Sequence, residues 1–131
     1  MSLKSRHLLR EGLDYTVNAI CRHNLVNDVY VETQEFYKAI IEVERKGLFE
    51  NLIVYVADVY ILTLSDVHEV LYKHPDVNCI VVISNWDHYT EQAKRFAKEN
   101  GIGLFTLSEF LEALNHRGKK FLDIGCAKKV E

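Results

Sequence analysis

Leu8, Leu9, Leu13, Val17 and Ile20 recur at helical spacing and make one apolar face, predicting an N-terminal helix over residues 3–24. Gly12 weakens that helix by about 1 kcal/mol relative to alanine. His23 and Asn24 fit its end. In NDVYVET, Val29 and Val31 alternate with Asp28, Tyr30 and Glu32, which predicts a short strand. The next stretch, FYKAIIEVERKG, reads two ways. Phe36, Ile40 and Val43 fit a helix capped by Thr33 and stopped at Gly47. Tyr37, Ala39, Ile41 and Val43 fit a strand, alternating with Lys38, Glu42 and Glu44. The strand reading is preferred, because Arg45-Lys46-Gly47 then forms a hairpin turn into the following strand.

LIVYVADVYILTL is dense in β-branched and aromatic residues. It is too apolar for a strand with one wet face, so it belongs in the centre of a sheet. Asp58 interrupts it and marks a bend or bulge. Ser65 and Asp66 are placed to cap the next helix, with Glu69 near the capping-box position. That helix directs Val67, Val70 and Leu71 inward, and Pro75 ends it. CIVVIS reads as a buried strand. DHYTEQAKRFAKEN reads as a helix burying Ala93, Phe96 and Ala97, stopped at Gly101. IGLFT is a short strand, and LSEFLEALN a helix with Ser108 as its cap. Strands alternating with crossover helices imply parallel pairing in this half. The expected fold is α/β: a mixed central sheet of about five strands flanked by helices, in one domain over 1–131. Its parts are the helix 3–24, a sheet-and-helix core 27–115 and a basic tail 116–131. In that tail Phe121, Leu122 and Ile124 are apolar enough to dock on the body.

The order helix, three strands, helix, strand, helix, strand, helix resembles the restriction-endonuclease-like three-layer fold. It is most similar to Mrr-type restriction endonucleases, over about Lys38 to Leu114. IIEVERKG followed by LIVYVA resembles that family's second and third strands. LSDVHEVLYKHPDVNCIVVIS resembles the helix and strand that follow. DHYTEQAKRFAKENGIGLFTLSEFLEAL resembles the group's terminal elements. The resemblance implies an aspartate at the start of the second strand and a Glu/Asp-x-Lys or Gln-x-Lys on the third. Such carboxylates hold Mg²⁺, and the lysine stands beside the developing anion. Here the aspartate position falls near Lys38 or Ala39, and the third-strand pair falls on Tyr55 and Ala57. What the resemblance implies is therefore a catalytically degenerate nuclease-fold domain. It would act in DNA binding or as an interaction module of a restriction or repair system.

Two alternatives stand beside it. One is an active Mg²⁺-dependent endonuclease whose carboxylates have migrated to Glu42, Glu44, Asp58 and Glu11, with Lys46 supplying charge. Glu42 and Glu44, two apart, would share one strand face and a metal. The other is a non-nuclease α/β domain that binds a small ligand or a protein. It would use SNWDHY (Ser84 to Tyr89), with Trp86, Asp87 and His88 at the C-terminal end of a parallel strand. The plain reading of that motif is Asp87 as a helix cap and Trp86 covering the sheet edge.

Charge and cysteines refine this picture. The net charge of −3 does not advertise a nucleic-acid surface. Its distribution is uneven: Val26–Asp76 holds ten acids and four bases, whereas His116–Glu131 holds five bases and two acids. Cys21, Cys79 and Cys126 are far apart and form no CxxC, so reduced, buried thiols in a cytoplasmic protein are expected rather than a disulfide framework or a zinc site. His68 and His74, six apart on one helix, do not share a face for metal ligation. There is no phosphate loop, no GxGxxG, no apolar run long enough for a membrane span and no signal-peptide pattern. A homodimer is compatible with all three readings.

Overall fold

The computed structural model describes residues 3–35, 37–83 and 88–126, with the backbone alone for residues 3–11. The elements run α1 (Leu3–Cys21), β1 (Val26–Glu35), β2 (Lys38–Arg45), β3 (Leu52–Ala57), α2 (Leu64–Lys73), β4 (Cys79–Val82), α3 (Glu91–Glu99), β5 (Gly103–Thr106), α4 (Leu107–Ala113) and α5 (Lys119–Asp123). The ambiguous stretch is a strand, so the helix alternative over 35–46 falls. Alternation decides it: Ala39, Ile41, Val43 and Arg45 are buried while Lys38, Ile40, Glu42 and Glu44 are half-exposed.

The five strands are ordered β1-β2-β3-β4-β5. β1, β2 and β3 pair antiparallel; β3, β4 and β5 pair parallel. The sheet therefore changes character at β3, which is central, as its apolar sequence requires. Ala39, Ile41, Val43, Val54, Val56, Cys79, Val81 and Phe105 point to one face and pack with α1, α4 and α5 through Leu13, Ile20, Phe110, Leu114 and Phe121. Ala57, Ile80, Val82 and Leu104 point to the other and pack with α2 and α3 through Val67, Val70, Ala93 and Ala97. This second core contains no residue of β1 or β2. Helices thus cover both faces of the parallel half but only one face of the antiparallel half.

Threonine hydroxyls start three of the helices. Thr63, Thr90 and Thr106 are the N-caps of α2, α3 and α4. Ser65 and Ser108 are not caps. Thr63 with Asp66 and Thr106 with Glu109 form complete capping boxes, each side chain bonded to the other's backbone N–H. The T-x-x-D and T-x-x-E spacings carried that signal. Residue 87 lies outside the described residues, and α3 starts only at Glu91.

Residues 116–126 are part of the body rather than a free tail. Their helix α5 buries Phe121 edge-on against Phe105, with ring centroids 5.2 Å apart. Gly103 makes that contact possible, because a Cβ there would lie 2.5 Å from the Phe105 ring and 2.9 Å from Phe121. Two buried cations fasten the same region. The Arg45 guanidinium donates to the carbonyls of Glu50, Leu114 and His116 at 3.0, 3.1 and 3.0 Å. Leu114 ends α4, so Arg45 satisfies a carbonyl the helix leaves open, at the negative end of its dipole. Lys94 Nζ donates to the carbonyls of Leu104 and Ile124, both at 2.6 Å, and sits 4.4 Å from the Phe105 ring centre. Burial pulls the Lys94 amine below the ordinary lysine range. Of the three free cysteines Cys79 is buried, Cys126 half-buried and Cys21 exposed, which corrects the expectation of three buried thiols.

Arg45→Met should lower stability by about 2–4 kcal/mol, since three carbonyls lose their donor. Lys46→Met, on an exposed neighbour, should change it by less than about 0.5 kcal/mol. Urea unfolding midpoints of the two variants measure the difference; equal midpoints would show that Arg45 holds nothing.

Candidate functional site

The register of β2 on β3 pairs Lys38 with Ala57 and Ile40 with Tyr55. Lys38, Tyr55 and Ala57 therefore share one face at one end of the antiparallel pair. Ala39 points to the other face and is buried. The N-terminal half of the chain places the β1–β2 turn beside this end, and the capping box of α2 sets that helix alongside it. A cleft of about 450 Å³ opens between them. Its apolar lining, termed the floor, is the buried Ala57, Leu62 and Val70 with half-buried Val59. Its other lining residues, termed the walls, are Glu35, Tyr37, Lys38, Tyr55, Asp66, Glu69, Lys73 and His74.

The walls are polar and mutually paired. Lys38 meets Glu35 at 3.4 Å and Lys73 meets Glu69 at 2.9 Å. Both pairs are well exposed, so each contributes little to stability and exchanges partners readily. The hydrogen bond and charge of Lys73 hold the Glu69 carboxyl below its ordinary value. Asp66 is engaged by the Thr63 N–H at 2.9 Å and the Thr63 hydroxyl at 3.0 Å. The Tyr55 ring tilts against His74 with centroids 5.5 Å apart. Burial, and then the acids Glu69, Glu35 and Asp66, push the Tyr55 phenol up to about 12. It is therefore a neutral donor and acceptor at neutral pH, and no general base.

The resemblance implies Mg²⁺, and the donor set does not fit it. A hard divalent cation needs convergent oxygen ligands. Lys38, Tyr55 and Ala57 supply no carboxylate, and of the three acids of the cleft Asp66 is engaged by Thr63 in the α2 cap. Among the described residues no group of three or more His, Cys, Asp or Glu is placed to hold a metal ion.

The other sequence candidates are dispersed. Glu42 and Glu44 do share the Lys38 face, but lie four and six residues further along β2, roughly 13 and 20 Å at about 3.4 Å per residue. Glu42 accepts from Asn51 at 3.1 Å, and Glu44 accepts from the Tyr30 hydroxyl at 2.9 Å. Asp58 follows the end of β3, where its N–H donates to the Tyr37 carbonyl at 2.8 Å. Burial raises its carboxyl above the ordinary value. Lys46 is exposed beyond the end of β2. The Glu11 side chain, and Ser84, Trp86 and Asp87 of SNWDHY, lie outside what is described. His88 is exposed and its carbonyl accepts the Leu62 N–H at 3.0 Å. Tyr89 donates to Glu109 at 2.7 Å, a structural tie between the α3 and α4 starts. His68 stacks on Phe96 at 4.2 Å, while His74 joins the cleft. Reasoning from sequence missed Tyr37, Asp66, Glu69, Lys73 and His74 as cleft residues. The helical spacing of the last four was visible, but their approach to β3 was not.

Comparison with protein-family models, with curated proteins and with solved structures finds no match for this chain.

The raised Tyr55 phenol has a consequence for alkaline stability. The folded state keeps this proton to about pH 12, whereas the unfolded chain releases it near 10. The stabilisation is complete below pH 10 and is lost as pH rises from 10 towards 12. Tyr55→Phe should therefore flatten the fall of the urea midpoint across that window; an unchanged slope would place the phenol in open water.

Proposed function

We propose that the chain is a catalytically degenerate, nuclease-fold domain, Mrr-like in layout, that works as a protein-interaction module of a restriction or repair system. The observation that carries this reading is the Lys38–Ala57 pair, with Tyr55 beside it, at the mouth of an apolar-floored cleft. In the resemblance, those strand positions bear the metal carboxylates and the lysine. In this chain they bear a phenol, a methyl and an ammonium, which bind but do not ligate Mg²⁺. The restriction-or-repair setting rests on the resemblance alone.

The cleft's chemistry agrees with binding rather than turnover. Apolar groups at its base accept a hydrophobic body. Lys38, Lys73, Glu35 and Glu69 at its rim have exposed charges that a ligand can satisfy in place of each other. DNA binding is a second reading, favoured by the exposed Arg117, Lys119 and Lys120 near the C-terminus. An active endonuclease with migrated carboxylates would need Glu42 and Glu44 to act together with Asp58, which lies beyond the end of β3.

Supercoiled plasmid incubated with Mg²⁺ or Mn²⁺ should remain intact. Glu42→Ala/Glu44→Ala, run in parallel, should behave the same and stay folded. Metal-dependent nicking by the natural chain that the double variant loses would overturn the reading and establish the migrated site.

A further inference from the structure

The sheet face that carries Lys38 does not end at the cleft. Helices α2 and α3 cover β3, β4 and β5 on this side and leave β1 and β2 uncovered. The register places Asp28 opposite Glu44, Tyr30 opposite Glu42, Thr33 opposite Ile40 and Glu35 opposite Lys38 on that open face. A shift in the pairing between Val31 and Thr33 keeps Glu35 on it, beside the cleft. The result is one strip that begins at the apolar floor by α2 and runs to Tyr30 and Glu44. From Lys38 to Glu44 it extends roughly 20 Å, the length of about six extended residues.

We infer that this strip docks an extended, basic segment of a partner protein, with an apolar side chain of that segment anchored in the cleft. The inference rests on the reading of the chain as an interaction module and names its partner's chemistry. Three observations choose the occupant. The strip carries Asp28, Glu35, Glu42 and Glu44 against the single base Lys38, so it repels a phosphate backbone and attracts lysine and arginine. Tyr30 and Tyr37 are each 47% exposed and Ile40 is half-exposed, which offers apolar contact between the charges. The cleft is large enough for one aromatic or branched side chain and is apolar at its base.

The alternatives fit less well. β1 has no basic residue, so a second copy pairing edge to edge would set acids against acids. The described part of the chain's own basic C-terminal segment, residues 116–126, is held elsewhere: Phe121 is buried in the core of the opposite face, and Asp123 pairs with Lys98 of α3 at 2.5 Å and with Lys119 at 3.2 Å.

Fluorescence anisotropy with labelled peptides tests the proposal. The probes are peptides of about ten residues that alternate valine and tryptophan with arginine and lysine, with glutamate, or with serine; a duplex DNA of similar charge is run beside them. The basic peptide should bind saturably and weaken as NaCl rises from about 50 to about 500 mM. Glu42→Lys/Glu44→Lys should weaken it at least about tenfold, whereas Glu99→Lys/Glu112→Lys, the same charge change on exposed acids of α3 and α4, should weaken it less than about twofold. Equal losses in the two variants would overturn the site, as would preference for the glutamate or serine peptide, or for DNA. Self-association removed by the Glu42→Lys/Glu44→Lys change would also overturn it, in favour of a second copy. Plasmid cleavage separates the two levels. Intact plasmid without peptide binding sinks the docking site and leaves the degenerate-nuclease reading standing. Nicking with peptide binding sinks that reading and leaves the docking site.

Discussion

Leu52–Ala57 carries apolar side chains to both faces of the sheet, and each face has to be covered. Val54 and Val56 require one helical layer, and Ala57 together with Ile80 and Val82 on β4 requires another. The three-layer architecture follows from that strand. So does the asymmetry of the molecule. β2 alternates apolar with polar residues and needs a cover on one side only. The second layer can therefore stop at β3, and its edge, α2, stands beside an open sheet face. The cleft is the space left at that boundary.

Burial of two cations completes the other layer. Arg45 and Lys94 are each surrounded by carbonyl oxygens and aromatic faces rather than by carboxylates. A cation in such a setting is costly to leave unpaired, so its donors specify where the chain must run. Arg45 fixes the end of α4 against β2, and Lys94 fixes the chain after α5 against β5. The last twenty described residues thus pack against the core through Phe110, Ala113, Leu114 and Phe121, and among the described residues no segment covers the open face on the far side.

The proposed function rests on what stands at positions 38, 55 and 57. A strand pair that displays a phenol, a methyl and an ammonium cannot assemble a Mg²⁺ site, but it makes a serviceable wall for a binding cleft. Of the acids that sequence alone marked as metal ligands, Glu42 and Glu44 lie along the open face, four and six residues beyond Lys38, and Asp58 follows the end of β3.

The element types, the central place of β3 and the one-sided wetness of β2 were legible in the sequence, because each depends on a period of two or 3.6 within a short window. So was the placement of Tyr55 and Ala57 on one face of the third strand. The capping boxes at Thr63 and Thr106 were legible too, in the spacing of their partners, although neighbouring serines competed for the role. The burial of Arg45 and Lys94 was not legible. Their partners are backbone carbonyls up to 71 positions away in the chain, and a carbonyl has no sequence signature. Nor was the cleft, because His74 and Tyr55 meet only when α2 packs across the sheet. Local periodicity determined which residues face inward. Tertiary packing alone decided where the covering helices stop, and with that which sheet face the second helical layer leaves open.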